Sequence, residues 1–214
     1  MASVPANDLR SNAGTWAIPN CQLPKIANLM LKWLKPEPFD LKFLGQNLCT
    51  YYYDTLAFDL RKARLKKKKY CTIRIRSYDE QSFAFSIKTE DTKFRKPISK
   101  SQYSSLMPGI DDPVTALDFL PGDLLSRVLD LSGGQPLVQA VEVKFTRYAT
   151  EDANNRLTLD IDIRTNTGKS FPVNGILENK TTDSTGQPMP EVLALKYAPV
   201  KLSKFLWSTT YGVR

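Results

Sequence analysis

The sequence predicts an α+β domain built on an antiparallel sheet, closed as a barrel or paired as a sandwich, with helices flanking it. Three observations carry this. From Tyr70 onward, apolar and polar residues alternate with a period of two in segment after segment. Turn-forming residues such as Asp79-Glu80-Gln81 and Gly133-Gly134 separate the segments. Helical spacing is confined to short stretches beside them, and many strands in a chain of 214 residues leave room for one domain only.

Residues 1–14 are small and polar and read as a flexible arm, residues 15–208 as the single domain, and residues 209–214 as a tail. Trp16-Ala17-Ile18 forms a short strand before Pro19. Ile26, Leu29, Met30, Trp33 and Leu34 recur at helical spacing, so Leu23 to Lys35 is an amphipathic helix ended by Pro36 and Pro38. Asn47 to Tyr53 is rich in β-formers and reads as a strand; Asp54 to Lys69 is a polar connection containing a basic run. Tyr70 to Arg76 and Ser82 to Lys88 make a hairpin, and Thr92 to Ile98 adds a third strand. Ser99 to Leu131, punctuated by Pro108-Gly109, Pro113 and Pro121-Gly122, holds several short helices. Strands return at Leu137 to Ala149, Arg156 to Arg164 and Ile176 to Thr181, followed by a helix at Glu191 to Tyr197 and a short strand at Val200 to Phe205.

Charge narrows the chemistry. The net charge is +8, and residues 61–100 hold 14 of the 30 basic side chains but only 4 of the 22 acidic ones. There is no histidine, which removes Ser-His-Asp and Cys-His catalysis. Cys21, Cys49 and Cys71 stand far apart in no CxxC pair, so neither a Cys/His zinc site nor a disulfide framework is expected. No apolar run reaches membrane-spanning length and the start of the chain lacks signal-peptide character, so a cytoplasmic protein without its own membrane segment is expected. The run Lys66 to Lys69 reads as a solvated connection rather than a specific nucleic-acid site.

Strand parity says where the remaining charge points. Residues i and i+2 share a face, which puts Arg74 with Arg76, Lys88 with Ser86 and Ala84, Glu178 with Lys180, and Arg156, Asp160, Asp162 and Arg164 together, each set opposite apolar residues. One strand of this kind is an ordinary sheet with a wet face and a core face. If several close with the charged side inward, they line a basic channel suited to a polyanion.

The same residues, in order, resemble the vacuolar transporter chaperone (VTC) domain, the polyphosphate polymerase branch of the CYTH-like triphosphate tunnel metalloenzymes. Tyr51-Tyr-Tyr-Asp-Thr55 with Asp59 to Arg64 is similar to the family's "YFDT" segment, Ile73-Arg-Ile-Arg76 to its R-x-R strand, and Phe85-Ser-Ile-Lys88 to "LEVK" with Ser86 in place of glutamate. Thr92-Lys-Phe-Arg-Lys96 takes the place of the following basic stretch. Phe145-Thr-Arg147 and Arg156 to Arg164 resemble the next strands, Ile176-Leu-Glu-Asn-Lys180 resembles "VLExK", and Leu202 to Phe205 the closing "SFSKY" element. Ala13, Gly14 and Thr15 stand where the family carries a lysine or Glu-x-Lys, so a family charge is missing from the first strand.

The resemblance implies an antiparallel barrel around a basic tunnel, which transfers the terminal phosphate of ATP to polyphosphate with a divalent metal, Mn2+ or Mg2+. Arg74, Arg76, Lys88 and Lys204 take the catalytic positions; Arg95, Lys96, Arg147, Arg164, Lys180 and Ser203 would bind phosphate oxygens, and Glu178 would hold the metal. Membrane-bound partner proteins, with placement at the cytoplasmic face of a membrane, also follow from it. The missing first-strand charge keeps an alternative open: a catalytically silent tunnel that binds polyphosphate, inositol phosphates or nucleotide as a sensor or scaffold. A triphosphatase, which in this superfamily usually rests on Glu-x-Glu in the first strand, is a weaker third reading.

Overall fold

The structure, a computed structural model, describes residues 11–19, 22–34, 45–66, 69–151, 155–181, 200 and 203–211. Its eight strands are β1 (Ser11–Ile18), β2 (Gln46–Asp54), β3 (Thr72–Tyr78), β4 (Ser82–Lys88), β5 (Lys93–Ile98), β6 (Val138–Glu151), β7 (Asn155–Thr165) and β8 (Gly175–Thr181). The helices among the described residues are α1 (Leu23–Leu34), α2 (Asp59–Leu65), α3 (Lys100–Leu106), α4 (Pro113–Ala116), α5 (Gly122–Ser132) and α6 (Lys204–Tyr211).

All strands join one antiparallel sheet in the order β1-β8-β7-β6-β2-β3-β4-β5. β1 and β5 form its edges and make no ladder with each other among the described residues, so the barrel is a strongly curled sheet rather than a closed one. The curl is visible in its electrostatics. β4 and β8 would lie about 24 Å apart in a flat sheet, five steps of about 4.8 Å. Yet Lys88 on β4 feels the charges of Glu178 and Lys180 on β8, and Arg95 on β5 feels Arg147 on β6 and Arg156 on β7. The two wings of the sheet therefore face each other across a bore.

The convex face is the hydrophobic core. Ile73, Ile75, Phe85 and Ile87 pack against Leu106, Leu117 and Val128 of the helical side, while Trp16, Ile18, Leu157, Leu159 and Leu177 pack against Ile26 and Met30 of α1. Full burial of each such side chain contributes about 1.5–3 kcal/mol, which fixes the parity of β3, β4 and β8: apolar residues out to the helices, the charged residues into the bore. The β3–β4 hairpin turns through Asp79 and Glu80, both with positive φ (49° and 58°), as a type I′ connection requires. Asp79 ties that turn to β2, its Oδ1 accepting from the Asn47 amide at 2.8 Å.

Four expectations change. β1 begins at Ser11, so residues 11–14 belong to the sheet and not to an arm; the Trp16 ring lies alongside Gly14 where a Cβ would sit, which accounts for glycine there. The connection after β2 contains a helix, α2, because buried Asp54 accepts the amides of Leu60 and Arg61 (both 2.9 Å) and so supplies the cap from the strand end. Lys204 and Phe205 lie in a helix, not a strand, and that helix extends to Tyr211, past the boundary drawn at 208. Val200 does meet the sheet, its amide donating to the Thr15 carbonyl at 2.7 Å on the edge strand β1. The helix expected at Glu191 to Tyr197 lies outside the described residues.

Candidate functional site

The concave face carries the charge. Its β3 wall places Arg74, Arg76 and Tyr78 in a row, paired in register with Tyr52, Thr50 and Leu48 of β2 and with Ser86, Ala84 and Ser82 of β4. Lys88 ends β4 on the same face, and Arg95, opposite Ser86, adds β5. Among the described residues none of these four basic side chains meets a carboxylate in an ion pair. Arg76 is buried, its Nε donating to Thr50 Oγ1 at 3.0 Å; burial and then the neighbouring Arg74 and Arg147 lower its guanidinium to about 10, still charged at neutral pH. Partial shielding, with Arg64 and Arg74 nearby, lowers the Lys88 ammonium in the same direction.

The opposite wall is built from β6, β7 and β8. Here Asp160 is buried and accepts from Arg147 Nε (2.6 Å), Arg147 Nη2 (2.7 Å) and Lys204 Nζ (2.6 Å), a fork-on-fork pair with an ammonium added. Burial alone would raise the Asp160 carboxyl, but Arg147 and Lys204 outweigh it and hold the group well below the usual carboxylate range. Arg147 is raised correspondingly, Asp160 overcoming its desolvation. Phe145 lies beneath this network with Arg76, Arg147 and Lys204 at 5.6, 5.4 and 4.9 Å from its ring centre, so one aromatic ring gathers cations from three elements.

Beyond Asp160 the wall continues with Thr158 opposite Glu178, and Arg156 opposite Lys180 and next to Glu151 (3.6 Å). Glu178 makes no hydrogen bond or ion pair with a described residue. Burial raises its carboxyl, yet Lys180, Arg147 and Lys204 together hold it below its ordinary value, so it is ionised at neutral pH.

α6 enters the concave side. Lys204 reaches Asp160, Phe205 packs on Tyr52 (5.3 Å between rings) and Trp207 on Phe171 (4.6 Å), filling the part of the bore lined by Val141, Val143 and Ile163. At its other end Thr210 accepts from Arg61 of α2 at 2.9 Å.

The structure thus brings together Arg74, Arg76, Lys88, Arg95, Arg147, Lys180, Lys204 and Glu178. It does not bring in three other expected residues. Lys96 points to the convex side, its Nζ 4.6 Å from the centre of the Phe119 ring, because its neighbour Arg95 takes the inward position. Arg164 is exposed opposite Lys144: a bulge at Asp162 (φ 53°) inserts a residue into β7 and reverses parity beyond it, so Asp160 faces in and Arg164 faces out. Ser203 caps α6, its Oγ accepting from the Leu206 amide at 3.3 Å.

Among the described residues the donor set does not fit a resident metal ion. The described residues contain no group of three or more acidic or cysteine side chains, Asp160 is committed to Arg147 and Lys204, and β1 has no acidic residue. Among the described carboxylates of the bore, Asp160 and Glu151 lie against Arg147, Lys204 and Arg156, and Glu178 by itself is short of what a divalent ion takes from a protein cage. The two described cysteines offer no thiolate; burial pushes both the Cys49 and the Cys71 thiol up to about 12.

No family model and no curated protein matches the chain. Solved structures do. A candidate adenylate cyclase from Bacillus halodurans superimposes with a TM-score of 0.50 at 17% identity over 79% of each chain. A candidate adenylyl cyclase from Hippeastrum with a dominant triphosphatase activity superimposes with a TM-score of 0.57 at 19% identity, over 94% of this chain and 95% of that one. At these identities the likeness shows a shared fold. In this bore the residues missed by sequence reasoning are Thr50, Tyr78 and Phe145; Tyr78 had a signal, since it continues the two-residue spacing of Arg74 and Arg76. No helix among the described residues is long and apolar enough to cross a membrane.

Proposed function

We propose that the bore binds a linear triphosphate, free or as the triphosphate of a nucleotide such as ATP, through charge neutralisation by its own arginines and lysines. The observation that supports it is the imbalance between the walls: Arg74, Arg76, Lys88 and Arg95 converge without a carboxylate partner. Guanidinium groups bind phosphate oxygens bidentately and stay charged, so uncompensated arginines in a half-buried groove favour a polyanion. The fold neighbour with triphosphatase activity agrees with a triphosphate ligand. Isothermal calorimetry with inorganic triphosphate tests the reading. Binding that weakens steeply with salt and falls in Arg74→Ala is expected; absence of binding by the intact protein at low salt overturns it.

A second reading, phosphoryl transfer from ATP to polyphosphate as in the VTC domain, is favoured by one observation, the ionised and unpaired Glu178 inside the bore. Two features weigh against it: α6 occupies part of the bore a growing polymer would thread, and β1 brings no charge. Incubation with ATP and manganese followed by gel detection of polyphosphate distinguishes the readings. Product that disappears in Glu178→Gln supports transfer, and binding without product leaves the sensor or scaffold role.

A further inference from the structure

Tyr78 belongs to neither the sequence motif nor the charge pattern, yet it stands among the bore arginines. It follows Arg74 and Arg76 on the same face of β3, is 6% exposed, and packs with Leu48 and Ala84. Arg95 reaches it from β5, two strands away: its Nη2 donates to Tyr78 Oη, with the guanidinium carbon 5.3 Å from the ring centre. The strand between them presents Ala84, buried and small, so nothing on β4 separates the two side chains.

A phenol both accepts and donates. Tyr78 Oη accepts from Arg95, and among the described residues no acceptor takes its own proton. Arg74, Arg76, Lys88 and Arg95 supply the charged donors along this wall, and Tyr78 adds a neutral one. Resting on the reading of the bore as a triphosphate site, we propose that Tyr78 is part of the phosphate cradle: its hydroxyl fixes the Arg95 fork at the bore and donates its proton to a phosphate oxygen of the bound triphosphate. Deprotonation would reverse both roles, because a phenolate cannot donate and competes with phosphate for Arg95. The charged groups facing it are Arg74 and Arg76 from β3, Arg95 from β5 and Arg147 from β6; burial pushes the phenol up, but these arginines outweigh it and lower it from its ordinary value.

Tyr78→Phe keeps the ring and its packing and removes only the oxygen. Triphosphate affinity at neutral pH is expected to fall about tenfold, the size of one hydrogen bond to a charged group. In the wild type, affinity should weaken further as the phenol ionises toward alkaline pH, and the variant should lack that limb. A wild-type-minus-variant ultraviolet titration isolates this phenolate among the nine tyrosines. Its midpoint is expected to move to higher pH when triphosphate is added. Should Tyr78→Phe fail to fold, Arg95→Gln tests the same contact, with weaker triphosphate binding and a phenolate that forms at higher pH. Wild type that binds triphosphate while Tyr78→Phe binds equally well, or a phenol titration indifferent to ligand, overturns the role of Tyr78 alone. Wild type that binds no triphosphate overturns the reading of the bore itself.

Discussion

Both walls of the bore are rich in basic side chains and handle them in opposite ways. On the β3–β5 wall, Arg74, Arg76, Lys88 and Arg95 make no ion pair with a carboxylate among the described residues, and burial first, then neighbouring cations, lowers Arg76, Lys88 and Arg95. On the β6–β8 wall, Arg147 and Lys204 close on Asp160, and Arg156 lies beside Glu151. One wall is held together by its internal ion pairs, whereas the other keeps like charges side by side. Stability and ligand binding should therefore separate by wall, and substitutions test that separation.

The largest effect is expected at Asp160. Asp160→Ala removes the buried carboxylate that half-buried Arg147 and Lys204 share, which costs up to about 3–5 kcal/mol, read as a large drop in thermal unfolding temperature. The pH dependence follows in sign. The folded carboxyl is depressed, so its contribution is fully present above the unfolded value of about 3.9 and is lost as pH falls toward its lower folded value. Wild type should destabilise steeply below about pH 4, and the variant should show a shallower acid limb. An unchanged unfolding temperature would remove the distinction between the walls.

Arg74→Ala is expected next and in the opposite sense. Arg74 is half-buried and has no hydrogen bond to a described residue, so unfolding should be unchanged or slightly favoured against, while triphosphate binding loses about 1.5–3 kcal/mol, roughly ten- to a hundredfold. Calorimetry and thermal unfolding on the same sample check it; loss of both together would mean that Arg74 is structural.

How much of this was legible depends on what sets each side chain's direction. The alternation of β3, β4 and β8 was readable because Ile73, Ile75, Phe85 and Leu177 must face the helices, which leaves Arg74, Arg76, Lys88, Glu178 and Lys180 no other side. β7 was not readable past Asp162, since a bulge leaves no mark on composition and turns Arg164 outward. Arg95 and Lys96 are adjacent, so parity admits one of them, and only the packing of Phe85 and Phe94 decides which. α2 was hidden because its cap, Asp54, belongs to the preceding strand and lies five residues before the helix begins. Lys204 came from the family resemblance alone, as nothing local tells that the chain returns into the bore.

Glu178→Gln gives a smaller change that separates the readings of function. Removing one negative charge among Lys180, Arg147 and Lys204 should strengthen binding of metal-free triphosphate by less than about tenfold, on the order of 1 kcal/mol. With manganese present the gain should vanish if the carboxylate meets an ion carried in by the phosphates. Weaker binding of metal-free triphosphate would mean that Glu178 orders the bore cations instead of merely opposing the ligand.

The smallest effects are expected at the two outward residues, and they test the bore's direction most cleanly. Arg164 and Lys96 carry the same charge as Arg74 and share the family-like segments, so a count of basic residues treats all three alike. Arg164 lies exposed on the convex side opposite Lys144, and Lys96 rests over Phe119. At physiological salt the Debye length is about 8 Å, so an exposed charge on the far face of the sheet acts weakly on a ligand in the bore. Arg164→Ala and Lys96→Ala should each leave triphosphate affinity within about twofold; Lys96→Ala should cost on the order of 0.5–1 kcal/mol of stability from its contact with Phe119. A tenfold loss of affinity in Arg164→Ala would place its side chain inside the bore, which requires β7 to run without the bulge at Asp162. Without the bulge Asp160 and Arg164 would share one face and Asp160 would still meet Arg147, so the stability test at Asp160 reads the part of β7 before Asp162 and the binding test at Arg164 reads the part after it.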